Sequence, residues 1–359
     1  VPTYIQKIGI WLEYLWARYT ERYGLRDPRV NGAPLNVTVL HLVNATGLGW
    51  YGEIFLDNGL SDVWLASACA HELFHNVQHA YRPDLDSWSA YALEGLPTLV
   101  EDSVNDDLND WIDWAYALLP TTDTSLPELR YSGSLFWKYL TEQHSARITP
   151  ADEPAVGIDV VRKALELGGG PVGTGIELPI ELRRYARTPY YGDFNQFTYL
   201  PSRGTDLSSH ETTFGNWLAA NYLQCLRDPR TDRRFTYMEA SHRLPNGVGL
   251  PCVTPAATLT VVPTAPLVVA STGLSPWAAR YYVLHWAAGV ETVRVQLTVG
   301  GTLARPLAQL LLIGQDKIVR DVVRFDKGFT KTIVVGGLDA IVVVVGALDS
   351  SLDYSLRLE

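Results

Sequence analysis

The chain has 359 residues, a formal charge of −10, 47% hydrophobic residues and 19% charged ones. That length holds two domains, or one large domain with an appendage, and the composition is that of a packed globular protein rather than a disordered one. The acidic balance argues against nucleic acid, whose phosphates repel such a surface, and no apolar run reaches the roughly eighteen residues that a membrane-spanning helix needs.

The chain opens Val-Pro without a methionine, as expected of one whose upstream segment has been removed or left out. Residues 4–23 read as an aromatic-rich amphipathic helix, with Ile5, Ile8, Leu12, Leu15, Trp16 and Tyr19 at helical spacing. Two alternating segments, Asn36–Val43 and Trp50–Asp57, then read as strands separated by the turn-rich NATGLG. A helix follows, with Val63, Ala66, Ala70, Leu73, Phe74 and Val77 on its apolar side, Ser61 or Asp62 at its start and Pro83 past its end. Ser87–Val104 has helical spacing as well, and Pro97 requires the helix around it to begin close to Leu93 or Glu94, because proline is tolerated only in a first turn.

Further helices are expected at Asp106–Leu119, Tyr131–His144, Val160–Leu167 and Phe214–Leu226. The long loops 168–176 and 188–213 have the length of lids or binding walls. The acidic run 101–113 reads as a solvated helix start; Ca2+ is conceivable there, but the spacing matches no EF-hand loop. Cys225 and Cys252 are the only plausible disulfide pair, with two free thiols as the alternative, whereas Cys69 reads as a buried small hydrophobe. After Pro255 short strands alternate with turns, about nine in all, and Val293–Val299 has one apolar face and one polar face. The reading is therefore an α+β domain over residues 1–255 and an all-β sandwich over 256–359. A chain ending near Pro255 is expected to fold and keep its chemistry.

The chemistry lies in His71-Glu72-Leu73-Phe74-His75, followed after eighteen residues by Glu94-Gly95. Residues four apart share a helix face, so His71 and His75 can offer two imidazoles to one cation. Glu72, one step round the helix, is placed to act on the water that such an ion activates. A zinc site would then lack one protein ligand, and Glu94 is the first downstream carboxylate able to supply it. His79 lies roughly 12 Å from His71 along the helix axis, too far to share the ion, so surface exposure or a place in the cleft wall is expected of it. The competing reading of the motif is an ordinary helix face with two hydrogen-bonded histidines.

HExxH, eighteen residues and Glu-Gly resembles the gluzincin metallopeptidases. The spacing is that of their aminopeptidase branch, and the pattern is also similar to secreted bacterial collagenase- and hyicolysin-like peptidases. Gln78 and Tyr81 stand where metzincins need Gly and His. Pro97 departs from the family pattern, in which Ala is usual. The resemblance implies a gluzincin-type catalytic domain holding one Zn2+ on His71, His75 and Glu94, with Glu72 as general base, a peptide or protein substrate, and secretion. It implies that a sheet edge beside the metal helix pairs with extended substrate, a role that falls to Trp50–Asp57, with a purely structural strand as the alternative. It also implies an oxyanion-stabilising tyrosine two residues before a glycine. Tyr131 in Arg130-Tyr131-Ser132-Gly133 fits, although Ser132 stands where those enzymes carry Lys. His144 and His210 are weaker candidates.

The β-sandwich looks like the appendages of secreted bacterial peptidases, and attachment to a surface or stabilisation of the catalytic domain are its alternative roles. The absence of an amine-capturing exopeptidase motif points to an endopeptidase. A zinc hydrolase of non-peptide amides or esters, and an inactive binding protein with the same fold, are the competing functions.

Overall fold

The computed structural model describes residues 2–82, 88, 90–105, 109–144, 157–168, 210–226, 233–237, 243–244, 247–301, 305–325, 327–348 and 350–359. Loop 168–176 after Gly168, loop 188–213 up to residue 209, and residues 106–108 of the acidic run lie outside the described residues. So do the side chains of His144 and His210. Helices and three β-sheets are present, so the chain is α+β. Its described residues fall into two compact units, and the division does not run at Pro255. One unit lies within Val1–Trp114, Pro127–Gly204 and His242–Gly249; the other lies within Ala115–Leu126, Thr205–Ser241 and Leu250–Glu359.

The first unit begins with helix α1 (Thr3–Ala17), extended by one wider turn, Arg18–Arg22. Its sheet contains β1 (Asn36–Leu40), β2 (Gly47–Trp50) and β3 (Glu53–Asp57) in the order β1-β3-β2. The strand expected over Trp50–Asp57 is thus shortened to Glu53–Asp57, and β2 takes in Gly47–Gly49 of the segment expected to be a turn, so that the two form a hairpin. Trp50 ends β2, Glu53 begins the antiparallel β3, and Tyr51 and Gly52 form the turn. The central strand is β3, which pairs in parallel with β1, so β1 and β2 are the two edges of the sheet. A run of aromatic and apolar residues hid this turn, because tyrosine is a good strand former.

Helix α2 (Asp62–Tyr81) crosses the centre of this unit. Sixteen of its twenty residues are buried, so it has no solvated stripe over most of its length. It packs against α1, β2 and α4 (Gly95–Val104). The Tyr19 ring meets Phe74 edge-on at 5.7 Å, and its hydroxyl donates to the Ala70 carbonyl at 3.0 Å. The helix ends at Tyr81, and Arg82 turns extended, as a residue before proline prefers. A short turn, α3 (Ala90–Leu93), leads into α4, whose N-cap is Glu94. Pro97 therefore sits in the first turn, where it costs no hydrogen bond. Beyond α5 (Trp111–Leu118), the helices α6 (Ser134–His144) and α7 (Ile158–Gly168) pack on one another, and α6 also packs on α4.

In the second unit, nine strands follow Pro255 in chain order: β4 (Ala257–Val261), β5 (Leu267–Leu274), β6 (Ala279–Trp286), β7 (Thr292–Gly300), β8 (Pro306–Gly314), β9 (Val319–Phe325), β10 (Phe329–Val334), β11 (Leu338–Ala347) and β12 (Leu352–Leu358). They form a four-stranded sheet, β10-β7-β12-β5, and a five-stranded one, β4-β6-β11-β8-β9. The core between them draws on both, with Val293, Val295 and Leu356 from one and Leu284, Leu310 and Val343 from the other. The two sheets also meet where the Tyr282 and Tyr354 hydroxyls share a 2.6 Å hydrogen bond.

Helix α8 (His210–Leu223) belongs to this unit, packed on β8 and β11. Those strands are buried at nearly every position, which is why they read as continuous apolar runs rather than alternating ones. Cys225 and Cys252 are bonded to each other in the same unit, with their Cα atoms 5.6 Å apart.

Candidate metal centre

One turn of α2 separates His71 from His75, and the two rings stand 4.8 Å apart between centroids. Each ring is fixed through its Nδ1. Glu101 Oε1 lies 2.6 Å from His71 Nδ1 and, as a carboxylate, accepts its proton. Gln78 donates through Nε2 to the carbonyls of Ala92 and Leu93, at 2.9 and 3.2 Å. Its Oε1 must then be the group 2.8 Å from His75 Nδ1, so that nitrogen also carries the hydrogen. With Nδ1 engaged in each, it is Nε2 that the neutral form of either histidine leaves bare as a lone pair.

Those two lone pairs converge on Glu94, whose Oε2 lies 3.4 Å from His71 Nε2 and 3.7 Å from His75 Nε2. A tetrahedral ion with bonds of about 2.0–2.1 Å sets its ligand atoms ~3.3 Å apart. His71, His75 and Glu94, all buried and with their ligand atoms within 4.8 Å of one another, can therefore hold a metal ion. The acidic residues of the 101–113 run form no such group among the described residues. Three of them are not solvated as expected: Glu101, Asp102 and Asp110 are buried, whereas Asp113 is exposed in the first turn of α5. Glu101 serves His71 and accepts from the Ser67 hydroxyl, while Asp102 pairs with Lys138 at 2.7 Å. Burial, with Glu101 and Asp102 close by, pushes the Asp110 carboxyl well above its usual range.

The electrostatics favour a cation between the imidazoles. Burial alone would raise the Glu94 carboxyl, but hydrogen bonds and charge from His71 and His75 hold it well below the carboxylate range. Burial opposes charge on His71, yet Glu101 and Glu94 outweigh it and raise that imidazole well above its ordinary value. Glu72 is raised, chiefly by burial, as a carboxylate held out of water should be.

Strand β2 packs closely on α2 beside these residues. A Cβ on Gly47 would lie 2.6 Å from Glu72 Cγ, and one on Gly49 would lie 2.4 Å from the Glu72 carbonyl oxygen and 2.9 Å from His75 Cβ. Only glycine allows the strand to come this close. Asn76 fastens the hairpin to the helix, accepting from Gly52 N–H at 2.8 Å and donating to the Glu53 carbonyl at 3.2 Å. Since Asp57 N–H bonds to the Thr46 carbonyl, antiparallel alternation turns the polar groups of Thr46, Leu48 and Trp50 toward β3. The N–H and C=O of Gly47 and Gly49 therefore point away from β3, along the β2 edge of the sheet. Leu48, Trp50 and Tyr51 are exposed beside it. His79, expected at the surface or in the cleft wall, is buried, with its ring edge-on to Trp50 and Tyr51 at 5.5 and 5.6 Å.

Tyr131 opens a 3-10 turn, Tyr131–Gly133, and its ring lies 5.7 Å from that of His71 and stacks on Trp114 at 4.4 Å. Burial and the Glu94 charge push its hydroxyl up to about 12, so it remains a donor at neutral pH. Cys69 faces away as a buried free thiol, pushed up to about 12 by burial and the nearby Glu72.

The structure thus brings together His71, Glu72, His75, Glu94 and Tyr131. It adds Glu101, Gln78, Gly47, Gly49 and Arg130, which were not singled out from the sequence. Gln78 follows His75 by three and Glu101 follows Glu94 by seven, both same-face helical spacings that could have been noticed. Arg130 carried no such signal.

Neither a protein-family model nor a curated protein matches the chain. Among solved structures, it is similar at 10% identity and a TM-score of 0.20 to the CUB1-EGF-CUB2 domain of human MASP-1/3, over 32% of this chain and 46% of that one. It is similar at 13% identity and a TM-score of 0.18 to the SPBc2 prophage-derived protein YomS, over 27% and 97%. It is similar at 14% identity and a TM-score of 0.19 to Aeromonas hydrophila PliG, a periplasmic inhibitor of g-type lysozyme, over 29% and 98%. Likeness at that level carries no argument about this chain.

Proposed function

We propose that the chain is a zinc-dependent peptidase of gluzincin type that cleaves within extended polypeptides. The observation that carries this reading is the convergence of two imidazole Nε2 atoms and one carboxylate oxygen beside a buried glutamate and a sheet edge. Two imidazoles and a carboxylate are a donor set suited to zinc. Zinc, when bound, lowers the pKa of water from 15.7 to about 7 and polarises a carbonyl.

The chain's own groups do the rest. Gly47 and Gly49 offer an N–H and C=O pattern to an extended peptide, adding it as a strand to β2. Glu72 takes the proton of the attacking water and passes it to the leaving amine. Tyr131 donates to the oxygen that gains charge as the carbonyl is attacked. The Cys225–Cys252 disulfide supports a protein that works in an oxidising compartment, in keeping with secretion.

The test joins metal content to turnover. Purified chain should hold one zinc and cleave casein, and chelation should stop cleavage. Glu72→Gln should keep the zinc and lose at least ~10²-fold in turnover, the contribution of a positioned general base. Zinc binding with hydrolysis of esters but of no peptide would move the reading to a non-peptide hydrolase.

A further inference from the structure

The two oxygens of Glu94 have separate employment. Oε2 faces both imidazole nitrogens, whereas Oε1 lies 3.0 Å from Arg130 Nη2. Because a carboxylate can ligate through one oxygen or both, what occupies Oε1 decides how many positions remain for water and substrate. From this geometry, and resting on the zinc reading above, we infer that Arg130 is a positioning residue that restricts Glu94 to one-oxygen ligation.

Three features make the contact a built one. The turn bearing Arg130 is held against the start of α4 by glycine on both sides. A Cβ on Gly95 would lie 2.9 Å from the Gly133 carbonyl carbon, and one on Gly133 would lie 2.5 Å from Tyr91 Cβ. The residue after the ligand and the turn after Arg130 are therefore in backbone contact, which sets the distance from guanidinium to carboxylate. Next, Arg130 lies over the Tyr131 ring, 5.4 Å from its centroid, and that ring is stacked on Trp114. Guanidinium groups stack well on such faces, so the same group that meets Glu94 is also held against the ring. Finally, Glu94 is buried while Arg130 is 66% exposed, so the arginine approaches from the solvent side and the imidazoles from within. The cation holds Oε1 by charge and by N–H donation. It leaves Oε2 as the single ligand atom and keeps the remaining position open.

The readout is the coordination number of the bound ion, independent of catalysis. Metal-free full-length chain is loaded with Co2+, and its visible absorption is compared with that of Arg130→Met and Arg130→Lys; X-ray absorption on the zinc forms counts the light-atom neighbours. In Arg130→Met, Oε1 is released to the ion. The neighbour count should rise by one, and the visible bands should lose the intensity that four-coordinate Co2+ shows. Arg130→Lys keeps a cation at the same place and should restore the wild-type spectrum. Thermal unfolding of the metal-free variants should match wild type, since the side chain is mainly exposed. Identical spectra and neighbour counts for wild type and Arg130→Met would overturn the assignment. Equal spectra for the Met and Lys variants, both unlike wild type, would overturn the role of charge. Failure of the wild type to take up Co2+ or zinc would remove the metal reading itself, which is a different result from either.

Discussion

The sandwich and helix α2 solve burial in opposite ways. In β12, Leu352, Tyr354, Leu356 and Leu358 are buried while Asp353 and Arg357 are exposed, so each residue's fate follows from whether its number is odd or even. In α2, His71, Glu72, His75, Asn76, Gln78 and His79 are buried along with the apolar residues. A polar group out of water must find a partner or carry a large cost. Here several partners come from other elements: Glu101 for His71, the Ala92 and Leu93 carbonyls for Gln78, and the β2–β3 hairpin for Asn76. A strand with one wet face is specified by its own neighbours. A helix buried all round is specified by the whole unit.

The largest effect expected from this contrast is on the boundary. A chain ending near Pro255 strips β8 and β11 from α8 and exposes Phe214, Trp217 and Leu218, all buried at present. Such a chain should lose a cooperative unfolding transition by calorimetry, whereas a truly separate sandwich would leave one intact.

Next in size is Tyr131→Phe. If the hydroxyl donates only as charge develops, kcat should fall by ~10²–10³ with KM nearly unchanged. A packing role on Trp114 would leave both within a few-fold. The alkaline limb of the pH profile should not shift in this variant, because the hydroxyl is still protonated until about pH 12.

Removing a partner of one imidazole is expected to be milder. Glu101→Gln and Gln78→Ala should each weaken zinc retention by ~10–100-fold, the usual cost of losing the group that orients a ligand histidine. Equal zinc affinity across wild type and both variants, measured by competition with a chelator, would mean that the tautomers are set by something else.

The fourth effect is steric. Gly49→Ala puts a methyl 2.4 Å from the Glu72 carbonyl oxygen, so the strand or the helix must shift, at a cost of ~1–3 kcal/mol by denaturant unfolding. The same change at Gly336, with nothing nearby, should cost far less.

The smallest concerns an exposed charge. Arg29, through its hydrogen bonds, holds the Asp27 carboxyl down to about 2. A lowered folded-state value stabilises above the ordinary range near pH 3.8 and is lost as pH falls through about 2. The pair is more than a third exposed, so the effect should be well under ~1 kcal/mol. Acid unfolding of Asp27→Asn should therefore differ little from wild type.

These differences also explain what could be read from the sequence. All nine strands after Pro255 appear where alternation and apolar runs place them, since that information is local. The pairing of His71 with His75 was legible because they sit four apart on one helix, and the start of α4 because Pro97 is tolerated only in a first turn. The β2–β3 turn was not, since Trp50 and Tyr51 mimic a continuous strand. The burial of Glu101, Asp102 and Asp110 was hidden because an acidic run reads as solvated unless the histidine and lysine that receive it are known. The packing of α8 was equally hidden, because which unit claims a helix depends on contacts across more than eighty residues of chain.

The thiol of Cys69 has a practical consequence. It is the chain's only free cysteine, fully buried on α2 two residues before His71, and protonated until about pH 12. In the native state it presents neither access nor thiolate to an alkylating reagent. Labelling must wait until α2 opens, so the rate of alkylation is a clock for that event alone. The same cysteine can then test whether an added metal ion slows the opening of the helix that carries His71 and His75.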